Sequence, residues 1–232
     1  MLRVCLIGPG DMQYHYGALL GIPEGEFSAE IEGIAKSLAD AGVEIVLLPD
    51  AGAAFEVAKE YKRSGGTKAI GTLPVSDSDF GIKHLQKFVE EQAEGKKVID
   101  ETIDTGNWYK QDICHCLFGD VVLVLGNSLG SMGELAYGYY FYNLFALAKD
   151  GMESAKQKIG AEIKAGTRIK FTTIIYEPFV KELMNIEMER YIIKCGGEVL
   201  YVKTPEELLE LLKGLEPEAQ EKGKTETQGE SQ

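Results

Sequence analysis

The run "VVLVLG" (121–126) is apolar from end to end, stops on a glycine, and is followed by "NSLGSMGE" (127–134) and a long helix-like stretch from Ser131. A strand with no polar face must be covered on both sides, which is the situation of a parallel strand between helical layers. Similar runs recur at "RVCLIG" (3–8), "VEIVLL" (43–48), "KAIGTLP" (68–74), "IKFTTIIY" (169–176) and "EVLYV" (198–202), with a possible short strand in "KVIDETID" (97–104). Between them lie segments of helical spacing. "SAEIEGIAKSLADAG" (28–42) has Ser28 placed as a cap and Gly42 as a stop, and "AFEVAKEYKRSG" (54–65) follows the second strand. "SDFGIKHLQKFVEEQAEG" (78–95), a short helix in "YKQDICHCLFG" (109–119), "GMESAKQKIGAEIKAG" (151–166) and "PFVKELMNIEMERYIIKCG" (178–196) read the same way. "TPEELLELLKG" (204–214) is the clearest, with Thr204 as cap and Pro205 in the first helical position. Strands alternating with helices at these lengths predict an α/β, Rossmann-like, doubly wound and mostly parallel sheet with helices on both faces. We expect one domain over residues 1–214 and an acidic, disordered tail over 215–232, where apolar side chains almost vanish.

Composition removes several function classes. A net charge of −13 opposes non-specific nucleic-acid binding, although local Lys and Arg could hold one small anion. The four cysteines (Cys5, Cys114, Cys116, Cys195) lie in or beside apolar runs, without disulfide-framework spacing, as expected of a reducing cytoplasm. The first apolar segment is too short for a secretory signal, and no stretch has the length of a membrane span. The expectation is a soluble cytoplasmic protein.

In an open parallel sheet, ligands sit beyond the carboxyl ends of the strands. Residues Gly126, Asn127, Ser128, Leu129, Gly130, Ser131, Met132 and Gly133 occupy such a position. Their glycines let the backbone approach a ligand, and the free amides of the following helix, carrying about half a unit charge, attract a phosphate. Ser131 and Glu134 admit two roles. Ser-x-x-Glu before an apolar run is a capping box; the same glutamate could instead stand at a pocket rim, near a ribose hydroxyl or a developing sugar cation.

Other segments offer weaker leads. Gly8, Pro9 and Gly10 follow the first strand as half of a dinucleotide fingerprint, a plausible pocket wall but a poor NAD site. Tyr14, His15, Tyr16 or Trp108 could stack on a base or merely anchor loops. Cys114, His115 and Cys116 resemble a metal fragment, yet residues two apart on a helix diverge and no second Cys/His pair stands at zinc spacing, so core packing and no metal are expected. "YGYYFYNLFALA" (137–148) is apolar around most of its circumference, which suits a central helix or a subunit contact.

"GNSLGSMGE" resembles the P-G-G-x-G-T-x-x-E motif of the LOG-like proteins once labelled lysine decarboxylases, within the superfamily that also includes DprA. Gly130, Ser131 (for Thr) and Glu134 match; Gly126 stands at the motif's proline, and Asn127 and Ser128 replace its glycine pair. "TGNWYKQDICHCLFGDVVLVLGNSLGSMGE" (105–134) is similar to the T-G-x-x-x-x-R-N…A-D…G-G-x-G-T-x-x-E block of a subgroup containing molybdenum-cofactor carrier proteins, with Thr105, Gly106 and Asp120 in register. In "LLPDAGAAFEVAKEYKRSGGTKAIGTLP" (47–74), Gly52 or Ala53, Gly65, Gly66, Gly71 and Pro74 hold places of the family's glycine-rich segment, while Pro49 and Asp50 replace its first glycine pair. The likeness covers residues 1–148 and extends to the "TPEELLELL" ending.

The resemblance implies a Rossmann-like fold, a nucleotide pocket and a homodimer through the apolar helix. It also implies a site in which Glu134 works with an arginine to cleave a nucleoside 5′-monophosphate, but the family's Arg-Asn pair is here Gln111 and Asp112. Glutamine hydrogen-bonds without supplying arginine's charge and fork, and Lys110 points about 100° away from its helical neighbour. The sequence therefore predicts binding of a small phosphorylated ligand, a nucleotide or nucleotide-like cofactor. Gly8, Pro9, Gly10 and Gly52 form the floor, Thr105 and Gly106 flank it, and residues 126–133 cradle the phosphate. The alternatives are an active phosphoribohydrolase, an N-glycosyl hydrolase using Glu134 with Lys110 or Gln111, and an interaction protein whose ligand site is lost.

Overall fold

Seven strands lie side by side and all run parallel, in the order β6-β3-β2-β1-β7-β8-β9. The strands are β1 (Arg3–Ile7), β2 (Glu44–Leu47), β3 (Lys68–Leu73), β6 (Glu101–Asp104), β7 (Val121–Val124), β8 (Thr172–Tyr176) and β9 (Glu198–Val202). β4 (Gln92–Ala93) and β5 (Lys96–Lys97) form a separate antiparallel pair. The computed structural model describes residues 1–77, 83–146, 171–181, 184–194 and 196–215, with the side chains of 144–146 left aside. The expected helix 151–166, the start of the 78–95 segment, Cys195 and the tail beyond 215 lie outside those residues.

Alternation along each strand assigns its side chains to two layers. Val4 and Leu6 of β1, with Val121 and Leu123 of β7, join the core under α1 (Glu24–Asp40), α2 (Ala53–Arg63) and the helix Pro205–Gly214. Cys5 and Ile7, with Val122 and Val124, face the opposite layer with Leu135 and Tyr142 of α5 (Leu129–Ala146) and Ile192 of the helix Ile186–Lys194. A third cluster joins Val46 and Ile70 to Cys114, at the end of α4 (Trp108–Cys114), and Phe118. Each large apolar side chain so buried contributes about 1.5–3 kcal/mol relative to exposure. The described residues thus form one Rossmann-like α/β domain with helices on both faces, as the periodicity predicts.

Several boundaries differ from the sequence expectation. α1 begins at Glu24, after Pro23, so Ser28 lies inside the helix; Glu24 and Glu26 in its first turn suit the positive end of the helix dipole. "KVIDETID" divides between β5 and β6, and "YKQDICHCLFG" becomes α4 followed by a 3-10 turn over His115–Phe118. α3 (Lys83–Val89) occupies only the middle of its predicted stretch. Thr204 does cap the last helix, its hydroxyl accepting from the Glu207 amide at 3.2 Å. Residues Gln13–Leu19 wind into a π-helix that fixes Tyr16: the ring stacks on Phe179 (4.2 Å between centroids) and the hydroxyl donates to the Leu125 carbonyl. His15 is buried against the Phe179 carbonyl, whereas Tyr14 is exposed. Of the four candidate base-stackers, His15 and Tyr16 are anchors.

α5 is not buried all round. Leu135 and Tyr142 face the core, while Tyr137 and Tyr140 are half exposed and Leu129 almost wholly so. Among the described residues no helix is long and apolar enough to cross a membrane.

Candidate functional site

The chain leaves β1 for β2 on one side and reaches β7 on the other, so β1 and β7 meet at the point where strand order reverses. Crevices beyond the carboxyl ends of such a pair are where open α/β sheets bind ligands. A cavity of about 320 Å³ lies there.

Its floor is the end of β1 with Gly8, Pro9 and Gly10, and one wall is the β2–α2 turn at Leu48 and Asp50–Ala54. The two loops are tied by the Ala53 amide donating to the Pro9 carbonyl at 3.0 Å. That closeness requires glycine at 52: φ is +129°, and a Cβ there would collide with the Pro9 carbonyl and come within 2.6 Å of Gly10 Cα. Gly126 has the same reason to exist on the β7 side, with φ +146° and His15 and Pro9 filling the space a Cβ would need (2.8 and 2.9 Å).

The opposite wall is the start of α5, represented by Ser128, Gly130, Ser131 and Glu134. Here the capping box is displaced. α5 begins at Leu129, and Ser128 is its cap, its Oγ accepting from the Ser131 amide at 3.2 Å and pairing with Ser131 Oγ at 2.8 Å. Ser131 therefore lies within the first turn and Glu134 in the second, too late to close back on a cap. The amides of Leu129 and Gly130 open the helix, where no intrahelical acceptor exists.

Asp112 and His115 complete the cavity, and Asp50 lies at its edge with Oδ1 accepting from the Ala51 amide (2.7 Å) and facing His84 Nε2 (2.8 Å). His115 is the residue whose pocket role the sequence does not reveal. Its Nε2 faces the Leu6 carbonyl at 3.3 Å and its Nδ1 faces Thr72 Oγ1 at 3.0 Å. With the Thr72 hydroxyl donating to Leu47 O, the threonine oxygen is free to accept from both Nδ1–H and Gln111 Nε2, so this set of contacts suits an imidazolium. Burial lowers its pKa, but the neighbouring Cys5 sulfur and Glu134 carboxylate raise it, in sum to about 10. Burial pushes the Glu134 carboxyl up to about 7; the His115 charge opposes the rise, and Cys5 and Asp112 add to it. Asp112 is raised as well, by partial desolvation, again against His115.

The expected stand-ins for arginine do not reach this space. Gln111 is wholly buried, its Oε1 accepting from Thr105 Oγ1 (2.9 Å) and its Nε2 donating to Thr72 Oγ1 (2.7 Å). Thr105 is buried with it. Lys110 is exposed and extends past Gly106, 3.4 Å from where a Cβ would be, and neither residue lines the cavity. Nor do Gly126, Asn127, Leu129, Met132 and Gly133: Leu129 points to solvent and Met132 packs on the core. Of the predicted binding set, Gly8, Pro9, Gly10, Gly52, Ser128, Gly130 and Ser131 are brought together, with Glu134 beside them. Among the described residues, no group of three or more His, Cys, Asp or Glu is arranged to hold a metal ion.

Fold and crevice together define a doubly wound α/β domain with a small-molecule cavity at its switch point. No protein-family profile and no curated protein sequence matches the chain. Solved structures do share the fold. The structural-genomics target TM1055 superposes with a TM-score of 0.57 at 15% identity, over 93% of this chain and all (100%) of its own. The molybdenum cofactor carrier protein of Chlamydomonas reinhardtii gives 0.53 at 17% identity, over 92% of this chain and 97% of that one. The molybdenum cofactor binding protein of Rippkaea orientalis gives 0.51 at 16% identity, over 92% and 96%.

Proposed function

We propose that this chain is a LOG-like binding protein that holds the phosphate and sugar of a nucleotide or nucleotide-like cofactor in the cavity between β1 and β7. The observation that carries the proposal is the juxtaposition, at the switch point, of the glycine-tied floor at Gly8–Gly10 and Gly52 with the first turn of α5. A helix start offers amides and a positive dipole end to an anion. Two structures of the same fold belong to proteins named for the molybdenum cofactor, which places pterins beside nucleotides among the ligands to try.

Binding is favoured over hydrolysis of a nucleoside monophosphate for a physical reason. Glu134 lines the cavity, but Gln111 is committed to Thr72 and Thr105 and Lys110 lies outside, so among the described residues no lysine or arginine lines it. The Tyr137 and Tyr140 face supports self-association, which sedimentation would measure. The decisive experiment is a thermal-shift and calorimetric screen of nucleotides, pterins and sugar phosphates. A stabilising ligand whose effect falls in Gly130→Asp supports the proposal; silence across the whole panel removes it.

A further inference from the structure

Three carboxylates, Asp50, Asp112 and Glu134, line the cavity, and among the described residues neither lysine nor arginine does. Among the described residues the single cationic candidate in the lining is His115, and both its ring nitrogens face protein partners, Leu6 O and Thr72 Oγ1. It offsets charge without offering a donor to a ligand. One of the α5 amides, that of Ser131, is likewise taken by Ser128 Oγ. What remains for an anion is a helix end worth about half a charge. What remains for the rest of a ligand is a set of acceptors suited to hydroxyl or amino groups.

We infer that this cavity selects ligands whose phosphate carries a single charge, as in a diester, together with hydrogen-bond donors for the carboxylates, and that Asp112 and Glu134 discriminate against terminal, doubly charged phosphates. The inference rests on the binding function proposed above and specifies its ligand class. A terminal phosphate is largely dianionic above its second pKa of about 6. Its second charge meets acidic side chains in a half-enclosed cavity, where screening is weaker than in open solvent. Esterifying the phosphate removes that charge and leaves the sugar and base unchanged.

The test compares each of the common nucleoside 5′-monophosphates with its 5′-methyl phosphate diester by calorimetry at pH 8, on the full-length protein. The diester is expected to bind about tenfold tighter. In the Asp112→Asn/Glu134→Gln double variant the monophosphate should gain and the ratio should approach one. If the double variant does not fold, Asp112→Asn alone, at the exposed rim, should move the ratio in the same direction. A wild-type protein that binds the monophosphate as tightly as the diester overturns the inference and leaves the binding function standing, as does a ratio unchanged by the variants. Absence of binding by these probes and by the pterins and sugar phosphates of the wider panel removes both.

Discussion

The side-chain amide of Gln111 donates to the hydroxyl of Thr72 at 2.7 Å, inside the protein and out of reach of the cavity. Gln111, where the sequence resemblance would put an arginine, thus braces β3 and the strand-end Thr105 against His115.

Gln111→Ala leaves Thr72 and Thr105 without their shared partner and should cost about 1–3 kcal/mol in urea denaturation. Gln111→Arg should cost more, about 3 kcal/mol or above, because it buries a second cation beside His115. An arginine variant as stable as wild type would show that the side chain can swing into the cavity after all.

Glu134 titrates near neutrality in the folded protein, above its ordinary value of 4.5. The folded state then binds more protons than the unfolded chain between those values, so stability falls as pH rises from 4.5 through 7. Each pKa unit is worth about 1.4 kcal/mol, and partial solvent contact reduces the whole effect to roughly 1–2 kcal/mol. Chemical denaturation of Glu134→Gln from pH 4 to 8 should lack this decline. The same ionisation should weaken anion binding above pH 7 in the wild type and not in the variant.

Gly52→Ala forces a side chain into a left-handed conformation against the Pro9 carbonyl. We expect a loss of about 2–4 kcal/mol and loosening of both loops, visible as faster amide exchange at Ala53, whose hydrogen bond to Pro9 closes the floor.

Ser128→Ala removes the cap of α5 and should cost about 1 kcal/mol. Ser131→Ala should cost less, since its amide and not its hydroxyl is the capped group. The reverse ranking would restore the capping box read from the sequence.

Much of the architecture is legible in the chain because it depends on local periodicity. The unbroken apolar character of "RVCLIG" and "VVLVLG" requires cover on both faces, and that alone fixes where β1 and β7 can sit. Helix starts are less legible. Ser28 and Ser131 have the chemistry of caps, yet Pro23 and Ser128 precede helices that begin earlier, and several serines can compete for one helix start. Of the site, the glycines at 8, 10, 52 and 130 could be found because they follow strand ends in the sequence, and close approach demands the one at 52. His115 could not: its role depends on Leu6 and Thr72, which are distant in sequence and meet it only through the sheet. Likeness to a family position puts Gln111 in the pocket, whereas its burial follows from Thr72 on β3 and Thr105 just after β6, which no spacing rule names.

The floor of the cavity ends at Gly10 and the facing wall begins at Ser128, so neither half exists as a receptor until the middle seam of the sheet has closed. A ligand bound as proposed would act as a rivet across that seam: at a hundredfold excess over Kd it would add about 2.7 kcal/mol to the folded chain. Loaded copies should outlast bare ones under a protease, tying the lifetime of the polypeptide to the supply of its cargo.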